Sequence, residues 1–64
     1  MDYDFEVMWS DVREGKVLAL ELGVGPNGAP VFRVSLFNGK RWSGARYHDF
    51  GAALATYRFL KQAI

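Results

Sequence analysis

A chain of 64 residues, half of them hydrophobic and 23% charged, is sized for one small globular domain (1–64) and is too apolar to stay disordered. It has no cysteine, which excludes a disulfide framework and thiolate zinc sites, and its net charge is only +1. Charges interrupt the apolar residues every few positions and the start, MDYDFEVMW, is acidic; no membrane span or secretory leader is expected, and the default is a soluble cytoplasmic protein. A domain this short buries only about 60% of its unfolded surface, so contact with a partner or a second copy would widen a thin stability margin.

In YDFEVMW, Tyr3, Phe5, Val7 and Trp9 alternate with Asp4, Glu6 and Met8, the pattern of a half-buried strand with an acidic outer face. SDVREGK supplies turn chemistry. KVLALELGV then sets Leu18, Leu20, Leu22 and Val24 against Val17, Ala19, Glu21 and Gly23, a second strand. GPNGAP is the loop of a hairpin, and VFRVSLF returns with Phe32, Val34 and Leu36 on one face and Val31, Arg33, Ser35 and Phe37 on the other. Asn38-Gly39 is the strongest short hairpin signal, and KRWSGARYH should follow at once as the fourth strand. Its parity is irregular, because Trp42 is even while Ala45 and Tyr47 are odd. A β-bulge at Ser43-Gly44 would bring all three to the core. Without that bulge, Trp42 lies on an open face beside Arg33 and Phe37, placed to stack on a base or a partner side chain. From residue 49 the period turns helical: Asp49 is the N-cap, and Phe50, Ala53, Leu54, Tyr57, Leu60 and Ile64 form one stripe. The expected fold is α+β, a four-stranded antiparallel β-meander with one C-terminal helix on one face (ββββα).

Charge divides along the chain. Residues 1–22 carry six acids against two bases, and residues 33–64 six bases against one acid, so the open sheet face should grade from Asp4 and Glu6 through Glu21 to Arg33 and Arg41. His48 and Asp49 are adjacent and so point apart on a strand; no nucleophile elbow, phosphate-binding glycine loop or metal-ligand spacing occurs. A non-enzymatic protein without cofactor or metal is expected.

The preferred expectation is a protein-binding module, an inhibitor or adapter that occupies a site on a larger protein or protein–nucleic acid complex. Two faces suggest themselves. The helix side opposite the core stripe carries Ala52, Ala55, Phe59 and Ala63, a smooth patch suited to a partner groove or a homodimer seam. The first strand offers Asp2, Asp4 and Glu6, acids able to stand in for nucleic-acid phosphates. The alternative is a small nucleic-acid-binding module that uses the sheet face and the basic cluster Arg33, Lys40, Arg41 and Arg46. The outline of VFRVSLFNGKRWSGARYHDFGAALATYRFL is similar to that of the AP2-like and integrase arm-binding DNA-binding domains, with no motif residue to carry over. By size and charge alone the chain also resembles phage and mobile-element factors, anti-CRISPR proteins among them, that block a larger machine.

Overall fold

The computed structural model describes residues 4–64, in which four strands and a helix follow one another: β1 (Glu6–Arg13), β2 (Lys16–Val24), β3 (Pro30–Phe37), β4 (Trp42–Tyr47) and α1 (Phe50–Ala63). All neighbours pair antiparallel in the order β1-β2-β3-β4, and α1 lies across one face of that sheet. The ββββα expectation is thus what the chain adopts. No helix among the described residues is long and apolar enough to cross a membrane.

The core follows from the two periodicities. Leu18 and Leu20 on β2 and Val34 on β3 point to the helix side, where they are buried under Ala53 and Tyr57. Phe32, Leu36, Tyr47, Phe50, Leu54, Leu60 and Ile64 close around them, which accounts for the whole apolar stripe of α1. Asp49 caps the helix as expected, its carboxylate accepting from the Ala52 amide at 2.9 Å. The stripe covers β2, β3 and β4, while β1 is tied to α1 mainly by long side chains. Tyr57 donates its hydroxyl hydrogen bond to Asp11, Lys61 Nζ lies 3.8 Å from the same carboxylate, and Arg13 donates to the Ile64 carbonyl at 3.1 Å.

Three sequence expectations need correction. SDVR is not a turn: β1 runs on to Arg13, and the reversal takes two residues, Glu14 (φ 53°) and Gly15 (φ 80°), the paired positive dihedrals of a type I′ hairpin. Nor does the fourth strand start directly after Asn38-Gly39. Phe37 pairs with Trp42 across a four-residue loop, in which the Asn38 side-chain oxygen accepts from the amides of Lys40 and Arg41 at 2.9 and 3.0 Å.

The third correction moves the bulge from β4 to β1. The β3–β4 register is unbroken, with Ser35 opposite Gly44 and Phe37 opposite Trp42, so Trp42 lies on the open face and not in the core. Gly44 serves close approach instead: a Cβ there would sit 3.2 Å from the Val34 carbonyl oxygen and 3.4 Å from Ser35 Oγ. On β1, by contrast, Val7 pairs with Glu21 and Trp9 with Leu20, leaving Met8 as the extra residue. The bulge flips the alternation. Val7 shares the open face with Ser10 and Val12, whereas Trp9 turns to the helix side and meets the Phe50 ring at 6.3 Å. An edge strand tolerates such a bulge because its second side has no ladder to break.

Candidate functional site

The open face of the sheet is ordered in rows that run across the strands. At the hairpin-turn end, Val12, Val17, Phe37 and Trp42 stand in register, one from each strand, and make an apolar ridge. Val12 is 72% exposed and Trp42 58%; the Phe37 and Trp42 rings lie 5.3 Å apart, tilted by 39°. The next row is Ser10, Ala19, Ser35 and Gly44, all small, and it forms a furrow. Beyond it comes a second ridge of Val7, Glu21, Arg33 and Arg46. A trough of about 520 Å³ results, lined by Val7, Ser10, Val17, Ala19, Glu21, Arg33, Ser35 and Trp42. At its β4 end it continues into a recess bounded by Ser43, Gly44 and Arg46.

One polar network is set into that ridge. Arg33 donates from Nε and Nη2 to the two oxygens of Glu21, both at 2.9 Å, and Ser35 Oγ donates to Glu21 Oε1 at 2.6 Å. The paired fork is the strong form of a charge-assisted hydrogen bond. The Arg33 hydrogen bonds, aided by that of Ser35, hold the Glu21 carboxyl below the ordinary glutamate value against the opposing pull of burial, and Glu21 in return raises Arg33. Phe5 flanks the network on the far side. Its ring packs where a side chain on Gly23 would be, 2.9 Å from the position of a Cβ, and the Arg33 guanidinium lies 4.0 Å from the ring centroid.

The sequence candidates are distributed unevenly over this map. Ala52, Ala55 and Ala63 are exposed on α1, and Phe59 among them is 71% exposed. The acidic strand face is not assembled: Glu6 pairs with Leu22 and so stands on the helix side, Asp4 precedes the strand, and Asp2 lies outside the described residues, as does Tyr3. The expected acidic-to-basic grade across the open face therefore fails at its acidic end, because the bulge at Met8 separates Glu6 from the row of Glu21. The basic cluster is only partly brought together. Arg33 and Arg46 are cross-strand partners, while Lys40 and Arg41 belong to the loop beside Trp42.

Sequence reasoning overlooked the furrow and the Glu21–Arg33–Ser35 network. The signal was present in the small residues Ser10, Ala19, Ser35 and Gly44, which share a row only once the bulge and the register are known. The chain matches no family model, no curated protein and no solved structure.

Proposed function

We propose that the protein is a non-enzymatic binding module that captures a larger protein through the open face of its sheet, acting as an inhibitor or adapter by occupying a site on that partner. The observation that carries this reading is the cross-strand ridge of Val12, Val17, Phe37 and Trp42 beside the tied Glu21–Arg33 pair. Protein interfaces have this composition: a desolvated apolar and aromatic centre, tryptophan and arginine enriched, with charges held in fixed pairs. The open face also exposes more large apolar side chains, Val7, Val12 and Trp42, than the outer side of α1, where Phe59 stands among Ala55, Thr56, Gln62 and Ala63.

A nucleic-acid reading has one observation in its favour, the exposure of Trp42 and Phe37 next to Arg33 and Arg46, a combination that accepts stacked bases. Against it stands Glu21, a carboxylate in the wall that phosphates would have to approach. Few cations line the face, and phosphate neutralisation supplies most nucleic-acid affinity. Affinity capture from cell extract, with and without nuclease and repeated with Trp42→Ser, separates the two. A protein partner retained after nuclease and lost with Trp42→Ser is the expected result; a catch that vanishes with nuclease would reject it.

A further inference from the structure

We infer that the outer edge of β4 pairs with the same edge of a second copy, antiparallel and centred on Gly44, which joins two four-stranded sheets into one. This does not depend on what docks against the open face. It starts from the hydrogen-bond phase of the last hairpin. The Asn38 amide donates to the Arg41 carbonyl at 3.2 Å, so Phe37 and Trp42, which stand opposite one another, are a non-hydrogen-bonded pair. By alternation Ser43, Ala45 and Tyr47 bond to β3, and the amides and carbonyls of Trp42, Gly44 and Arg46 point off the sheet. Among the described residues nothing takes up those of Trp42 and Gly44. A row of backbone groups so spaced is recognised by another extended strand. The other edge is unlike it, because the bulge at Met8 interrupts β1.

Three features select a second copy of this chain as that strand. The first is register. A two-fold axis through Gly44 sets Gly44 opposite Gly44 and Trp42 opposite Arg46 of the second copy, so outward-pointing residues meet outward-pointing residues. Ser43 then faces Ala45, Arg41 faces Tyr47, and no cation faces a cation. A step of two residues toward the loop would bring Lys40 against Arg46.

The second is charge beyond the strand. Asp49 is the one acid between residues 33 and 64; it is exposed, and the backbone there is still extended, with φ −110° and ψ 125°. The same register brings it level with the Lys40–Arg41 loop of the second copy. The two-fold repeats that match of acid with bases at the other end of the seam.

The third is an uncovered floor. Ser43 and Ala45 stand opposite Leu36 and Val34, on the helix side, yet both are exposed. A cleft of about 270 Å³ remains there between β4 and α1, its walls including Val34, Leu36, Thr56 and Leu60. Because the axis is perpendicular to the sheet, the second copy carries its own α1 to the same face and flanks the cleft from the other side. A lone foreign strand would pair with β4 and leave that side open.

The test uses the intact protein. Sedimentation equilibrium should show a reversible dimer. In a mixture of 13C-labelled and unlabelled chains, a filtered nuclear Overhauser experiment should place the Ser43 α-proton of one copy against the Ala45 α-proton of the other, the close approach of a non-hydrogen-bonded pair. An N-methyl group put on the Gly44 amide by chemical synthesis removes the central donor without touching the β3 ladder. It should weaken the dimer by about tenfold or more and leave the monomer folded. Arg41→Glu should weaken it as well, and less so at high salt. A chain that stays monomeric at about 1 mM overturns the inference. So does a dimer that lacks the Ser43–Ala45 contact or survives the N-methyl group unchanged. If a captured protein slows exchange of the Gly44 amide in a chain that remains monomeric, the edge belongs to a foreign strand and the inference falls.

Discussion

Two carboxylates, Glu21 and Asp11, do different work on opposite faces of the sheet. Glu21 accepts three side-chain hydrogen bonds and is held below its ordinary value. A carboxyl lowered by folding adds stability that is complete above its ordinary value, 4.5, and is lost as pH falls through the lowered one. Glu21→Gln should therefore cost about 1 kcal/mol at neutral pH, a modest figure because the pair is partly solvated. The gap to the unsubstituted protein should close on acidification, as urea titrations along a pH series would reveal. Asp11 instead accepts from Tyr57, whose hydroxyl is pushed up by burial and then by the hydrogen bond and charge of Asp11. The folded chain keeps that proton after the unfolded chain has released it, so stability should fall as pH rises above the ordinary tyrosine value of 10.0. Tyr57→Phe should flatten this alkaline limb; an unchanged limb would show that the hydroxyl contributes nothing there.

At the scale of elements, legibility in the sequence tracked regularity of pairing. β2 and β3, each paired on both sides, kept strict alternation, and every residue named for their two faces lies where the period places it. The helix was equally plain, because its core stripe and its cap are local to Phe50–Ala63 and Asp49. The edge strands were harder. Val7 and Trp9 are both odd and both apolar and so read as one face, yet the bulge at Met8 sends them to opposite sides of the sheet. On β4 the glycine was assigned to a bulge when it relieves a contact with the backbone of β3. Nothing within one strand distinguishes these two uses of an irregularity; the partner strand decides. Gly44→Ala consequently tests the assignment. Its methyl group must push against the Val34 carbonyl and Ser35, so a loss of about 1 kcal/mol is expected, with faster amide exchange along β4. A neutral substitution would mean that the β3–β4 approach is looser than the geometry indicates.

Taken whole, the molecule measures 38 × 23 × 15 Å and offers solvent two unlike apolar surfaces, one on each side. The open sheet face combines Trp42, Val12 and Val7 with tied charges, whereas the outer helix face has Phe59 and small residues. Neither belongs to the core, so Trp42→Ser and Phe59→Glu should both fold with stabilities within about 0.5 kcal/mol of the parent chain. Their effects on binding should diverge. Partner capture is expected to vanish with the first and persist with the second; the reverse result would transfer the interface to α1 and vindicate the expectation drawn from Ala52, Ala55, Phe59 and Ala63. A chain that unfolds on Phe59→Glu would place the ring in the core, at odds with its exposure.

The ties between β1 and the end of α1 join residues 46 and 51 positions apart, whereas each strand pairs with its sequence neighbour. Short hairpin loops close rapidly, and contacts across most of the chain carry the largest loop-closure entropy. The Tyr57–Asp11 and Arg13–Ile64 bonds should accordingly form after the rate-limiting barrier of folding and break before that of unfolding. In stopped-flow experiments Tyr57→Phe should accelerate unfolding by nearly the full amount of its destabilisation and leave the refolding arm of the chevron in place. The clamp then governs how long the native state lasts, independently of how quickly it is reached.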